Sequence, residues 1–271
     1  MIEARSIESL DLPELQPYRT LRRQVEHRKE GIFVAEGEKV VRRLLASHFP
    51  VISVLLPEKW YRELEPVLQA RPECIQVFIA EKSLLERLTG FSMYQGLLAL
   101  ARIPPGPALE QILERTPAPV LLAAVEALSS AENLGVVVRN CAGLGVQALV
   151  VGETCTSPYL RRAVRSSMGA IFELPVIETA SLLETLKHLR QRGIRCVAAH
   201  PHTKGRTLSQ TDLRGSCCIV LGSEGNGLSP AVLAACDDAA AIPMPPRVDS
   251  LNVGSAAAIF FYEAKRQRNQ T

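Results

Sequence analysis

Three stretches in the C-terminal half of the chain carry side chains able to do chemistry. "SSAENLGVVVRNCAGLG" (129–145) places Asn133, Arg139 and Asn140 around Gly135. "LGSEGNGLS" (221–229) sets Glu224 among three glycines, and "PPRVDSLN" (245–252) sets Ser250 and Asn252 just before the small, apolar run "VGSAAAIFFYEA". A guanidinium, a carboxylate, amides and a hydroxyl are groups that orient a polar substrate and stabilise charge as it develops.

These side chains need particular elements beneath them. In the first stretch Asn133 is a good helix N-cap, Leu134, Val137, Val138 and Cys141 follow at helical spacing as a buried stripe, and Gly145 supplies the stop. Arg139 lies off that stripe, one turn after Gly135. It reads either as a solvated arginine on an amphipathic helix or as a site residue with room for a ligand beside it. The second stretch follows the apolar run "CCIVLG". Its glycines permit a sharp bend and close backbone approach, but it lacks the Lys-Ser/Thr ending of a phosphate-binding loop and is no G-x-G-x-x-G fingerprint. A glycine-rich turn with a helix-capping Glu224 is the plainer alternative. In the third, Ser250 or Asn252 caps a final helix from about 253 to 267, whose alanines allow close packing inside the chain or against a second subunit.

Apolar runs typical of a parallel sheet covered on both faces occur at 120–128, 147–152, 195–200, 217–222 and 240–244, with helices expected at 133–144, 158–168, 181–192 and 230–235. An α/β layout also fills residues 31–103. Between the two α/β units, residues 104–119 hold five of the chain's 18 prolines and read as a linker with room for one or two helical turns.

Hydrophobic residues at 47% and charged residues at 22% describe a globular chain and exclude a disordered or fibrous one. The formal net charge of +3 leaves any nucleic-acid partner to be argued from local clusters. Residues 19–43 provide one, with Arg22, Arg23, Arg28 and Lys29, and the stretch after Pro158 provides Arg161, Arg162 and Arg165; a solvated charged face is the competing reading of both. Seven cysteines without C-x-x-C spacing point to reduced thiols and no zinc site. The acidic N-terminus and the absence of any run near the ~20 apolar residues that span a bilayer lead to the expectation of a cytoplasmic protein without a membrane partner.

In this order and at these spacings, "NLGVVVRN", "LGSEGNGLS" and "IPMPPRVDSLNVGSAAAI" resemble motifs one, two and three of the SpoU-type (TrmH-type) RNA 2'-O-ribose methyltransferases of the SPOUT superfamily, over residues 120–265. "FVAEGEKVV" (33–41) and "QGLLAL" (95–100) are similar to the ribosomal-protein-like substrate-binding domain that precedes the catalytic domain in many members. The resemblance implies an α/β protein in which a smaller RNA-binding α/β domain (1–103) and a Pro-rich linker (104–119) lead into a SPOUT methyltransferase domain (120–271). That domain's parallel sheet would be tied in a trefoil knot, one of the rare exceptions to unknotted topology. It also implies a homodimer formed through the C-terminal domain. This chain departs from the family in having Ser130 and Ala131 where Asp-Pro is common, Gly254 for the usual Ser, and Pro246 for a frequent Gly.

The cofactor so implied is S-adenosylmethionine, held by backbone groups around Gly222, Ile242 and Leu251, with Leu221, Met244 and Gly227 beside them. Arg139 would be the catalytic arginine, either as general base or as electrostatic stabiliser of the developing alkoxide, with Asn133, Glu224, Ser250 and Asn252 arranging the ribose hydroxyl and its neighbouring phosphate. Methyl transfer is an in-line displacement that needs no metal, and positioning supplies on the order of 7–11 kcal/mol of the barrier reduction. The implied substrate is RNA, ribosomal RNA ahead of transfer RNA because of the added N-terminal domain. A non-catalytic RNA-binding or assembly factor with the same fold is the alternative from another class. A dinucleotide oxidoreductase is excluded, since the strand, G-x-G-x-x-G and acidic-residue unit is missing.

Overall fold

The computed structural model describes residues 2–21, 24–89, 96–201 and 206–269. Two compact units divide the chain: residues 1–105 with 158–172, and residues 106–157 with 173–271.

The first unit is built on β1 (Ile2–Ser6), α1 (Gln16–Arg19), α2 (Gln24–Lys29), β2 (Ile32–Glu36), α3 (Glu38–Ala46), β3 (Val51–Leu56), α4 (Glu58–Gln69), β4 (Ile75–Ile79), α5 (Lys82–Thr89) and β5 (Leu98–Arg102). The strands form one mixed sheet in the order β1-β4-β3-β5-β2. Every residue of β2 is buried, because alternate side chains enter different layers. Ile32 and Val34 join Tyr18, Leu55, Phe78 and Leu98 in one core, while Phe33 packs with Phe49, Tyr159 and Phe172 in an aromatic cluster. The edge strand β1 is mostly exposed, which explains why no apolar run marks it.

The second unit holds α6 (Leu109–Arg115), β6 (Leu121–Val125), α7 (Ala131–Leu144), β7 (Ala148–Val151), β8 (Val176–Glu178), α9 (Leu182–Gln191), β9 (Arg195–Ala199), β10 (Arg206–Thr207), β11 (Cys217–Leu221), α10 (Pro230–Ala235), β12 (Asp238–Ala241) and α11 (Val253–Arg268). The intervening α8 (Arg161–Ser166) lies in the segment that groups with the first unit. Seven strands make an entirely parallel sheet, ordered β10-β12-β9-β11-β6-β7-β8. From β6 the chain steps outward through β7 to β8 and then crosses to the other side, so the order reverses beside β6 and β11; such a switch point leaves a crevice at the carboxyl ends of the strands.

Leu122, Ala124, Val150, Cys218 and Val220 of this sheet form a core with Leu182, Leu186 and Leu189 of α9, and Leu109, Ile112 and Leu113 of α6 pack against it. The run expected as a strand at 240–244 starts earlier and stops at Ala241, because Pro243, Pro245 and Pro246 offer no N–H to a ladder. At its far end α11 is pinned by Arg268, whose guanidinium donates to the carbonyls of Leu213 (3.0 Å), Pro119 (3.0 Å), Val120 (3.1 Å) and Gly215 (2.7 Å). All seven cysteines are free, and burial pushes the Cys196 and Cys236 thiols up to about 12, so both stay protonated and inert. Among the described residues no helix is long and apolar enough to cross a membrane.

Candidate active site

Helix α7 starts two residues before the expected point. Ser130 is its N-cap, its hydroxyl accepting from the Asn133 N–H at 3.3 Å, and Gly145 closes the other end at a φ of +82°. Asn133 is therefore not the cap. It stands in the first turn with its amide free of backbone duty, because the cap position is filled by the shorter Ser130 side chain. Ser130 also supplies the helix entry that Asp-Pro would otherwise provide.

The Asn133 amide links the three stretches. Its Nδ2 donates to Glu224 Oε1, and its Oδ1 accepts from Asn252 Nδ2 at 3.1 Å. Asn252 turns its own Oδ1 to the Gly254 N–H (2.9 Å), capping α11, while Asn140 Nδ2 donates to the Gly254 carbonyl at 2.7 Å. Gly254 meets α7 so closely that a Cβ there would lie 2.5 Å from Val136 Cγ1, so the serine usual in the family has no room in this packing.

Glu224 is carried by a loop folded back on itself. Ser223 N–H donates to the Gly227 carbonyl (3.1 Å), Gly227 N–H returns a bond to the Ser223 carbonyl (3.0 Å), and Gly227 has a φ of +67°. A Cβ on Gly222 would fall 2.2 Å from the Gly227 carbonyl carbon, so glycine is the residue that fits there. Glu224 caps no helix: Ser229 caps α10, accepting from Val232 N–H at 3.2 Å, and Glu126 Oε2 accepts from the Ser229 N–H at 2.7 Å.

At the carboxyl ends of β9, β11 and β12 a cavity of about 250 Å3 opens. Leu221, Gly222, Gly227, Ile242, Met244 and Leu251 all line it, as do Glu224 and Ser250. Asn133 and Asn252 are outside its wall but bonded to one another, and Asn133 to Glu224. Arg139 is not brought to this wall; it lies exposed on α7 with no hydrogen bond or ion pair to it among the described residues. Reading the sequence missed His200, Asp249 and Phe260, which also line the cavity. A polar residue ending a parallel strand, as His200 does after "RCVAA", was the available signal.

Of the basic residues, Arg22 and Arg23 lie outside the described residues. Arg28 and Lys29 are exposed around the end of α2, and Arg162 is exposed on α8. Arg161 is engaged instead with Glu36, whose carboxylate also accepts from Arg165 Nη1 at 3.0 Å. The Glu36 side chain is 6% exposed and that of Arg161 16%, so this pair is part of the first unit's packing.

The wall combines apolar side chains (Leu221, Ile242, Met244, Leu251, Phe260) with the carboxylates Glu224 and Asp249, a setting that fits a ligand with an aromatic ring and positive charge. A parallel α/β sheet with a glycine-lined cavity at its carboxyl edge, and a carboxylate–amide chain beside it, defines a protein of the open-sheet α/β class with a ligand site where that class places one. The model of the SpoU rRNA Methylase family matches residues 120–262, and the chain belongs to that family. A relative from Mycobacterium bovis, an uncharacterized tRNA/rRNA methyltransferase, is 35% identical over 266 residues, covering 94% of this chain and 90% of its own. The 23S rRNA (guanosine-2'-O-)-methyltransferase RlmB of Acinetobacter baylyi is 31% identical over 76% of this chain and 85% of its own. Among solved structures, the SpoU methyltransferase AviRb of Streptomyces viridochromogenes superposes with a TM-score of 0.83 at 26% identity, covering 96% of this chain and 98% of its own, and has also been solved with the cofactor AdoMet.

Proposed function

We propose that this S-adenosylmethionine-dependent RNA methyltransferase methylates a ribose 2'-hydroxyl of ribosomal RNA. The observation that carries the reading is the hydrogen-bonded chain Glu224–Asn133–Asn252, which joins the three motifs at the cavity lined by Gly222, Ile242 and Leu251. The apolar wall suits the donor's adenine, and the tight Gly222 turn lets backbone groups rather than side chains face it. When bound, the donor supplies an electrophilic methyl on a sulfonium. Glu224, with Ser250 beside it, orients the sugar hydroxyl, and Asn133 holds Glu224 in place. Arg139 is exposed on α7 outside the cavity wall, so in this reading it acts from the RNA side, stabilising the negative charge on the hydroxyl oxygen once the bound RNA brings that oxygen to its guanidinium.

In this reading the second unit is catalytic and the first holds RNA through exposed basic residues such as Arg28 and Lys29. The segment 242–252 is threaded as a knot, and α11, exposing Ile259 and Tyr262, forms a homodimer in the cytoplasm. The test is to supply methyl-labelled donor with separated ribosomal and transfer RNA pools. Label in ribosomal RNA, at positions that become resistant to alkaline cleavage, is the expected result. Label in transfer RNA alone would change the substrate class, and none in either would overturn the proposal.

A further inference from the structure

Every residue from Leu221 to Gly227 lines the cavity, so the shape of this loop is the shape of one cavity wall. Glu126 holds the loop at both ends. It follows β6 directly, and its backbone N–H donates at 2.9 Å to the carbonyl of Leu221, where the chain leaves β11. Its carboxylate Oε2 accepts at 2.7 Å from the N–H of Ser229, where the chain enters α10. The bonds among Ser223, Asn226 and Gly227 fold the loop on itself without attaching it to the sheet. Leu228, packed in the core of the second unit, is a further anchor, and the Glu224–Asn133 bond holds the tip. Glu126 stands at a constrained point of the backbone: Ala127 beside it has a φ of +54°, a left-handed conformation that a residue with a side chain keeps where its surroundings impose it.

We infer that Glu126 is a positioning residue for the methyl donor, its carboxylate keeping the loop 222–228 in the shape that binds. The inference rests on the reading that this cavity holds S-adenosylmethionine. A loop released at Ser229 spends part of its time in other shapes, and apparent affinity falls with the fraction that remains competent. Saturating donor draws the loop back into place, so the deficit belongs to donor affinity and not to the chemical step.

Calorimetry with S-adenosylmethionine on the full chain, together with donor KM and kcat for methyl transfer to total RNA, tests this. Glu126→Ala should bind the donor about tenfold more weakly, the effect of losing one charge-assisted hydrogen bond. Its donor KM should rise in step while kcat stays within about threefold. Glu126→Gln, which keeps an acceptor oxygen, should retain most of the affinity. Glu126→Asp, whose carboxylate is a methylene short of Ser229, should not, and it serves in place of alanine if that variant fails to fold. A residue needed for stability alone would lower the folded fraction in urea and leave the Kd of the folded chain unchanged. That result would overturn the inference, as would a loss confined to kcat or a glutamine variant as weak as alanine. Binding of no donor by the unaltered chain would overturn the donor site and this inference with it, whereas equal binding by the unaltered chain and Glu126→Ala would overturn this inference alone.

Discussion

Asn133 uses both ends of its amide, so removing it disconnects Glu224 from Asn252 at one stroke. Asn133→Ala is expected to lower turnover about 100-fold with little change in urea stability, because the α7 cap belongs to Ser130. Ser130→Ala should do the reverse, costing about 1 kcal/mol in urea denaturation and sparing most activity. Arg139→Ala should keep donor affinity by calorimetry yet lose about 100- to 1,000-fold in single-turnover rate; undiminished turnover would remove Arg139 from the mechanism. At this scale the sequence pointed to Glu224, Ser250 and the glycines of the cavity wall but not to His200, Asp249 or Phe260, and it misjudged one role. Ser130 and Asn133 are both good caps, and a stripe beginning at Leu134 is compatible with either, so only the backbone decides between them.

The loop 222–227 owes its shape to contacts between backbone atoms. Gly222→Ala would drive a methyl group into the Gly227 carbonyl, so it should abolish donor binding by calorimetry and destabilise the second unit by about 1–3 kcal/mol in denaturant; normal binding would show that the loop is not the cradle. Long elements were legible in the sequence: the strands at 121–125 and 217–221 and the helix from 253 carry unbroken apolar patterns. The short strands β8 and β10, of three and two residues, have no room for a period. Helix α4 contains Pro66, a residue that argues against a helix interior. The early end of β12 at Ala241 is what leaves Ile242 and Met244 to the cavity wall.

For the whole molecule, the mild net charge says little about RNA, and the local clusters divide. Arg161 is committed to the buried Glu36, a use that residue counting cannot foresee, whereas Arg28 and Lys29 remain at the surface. Tyr262, 59% exposed on α11, is the large apolar side chain that a dimer would cover. Tyr262→Glu should therefore shift the mass seen by light scattering from two chains to one; a monomeric unaltered chain would contradict the dimer. The chemistry of the site itself is settled by the position of the transferred methyl. Ribosomal RNA methylated by this chain, digested to nucleosides and resolved by mass spectrometry, should carry the label as a 2'-O-methylnucleoside, whereas label on a base would contradict a site built to hold a sugar hydroxyl beside Glu224.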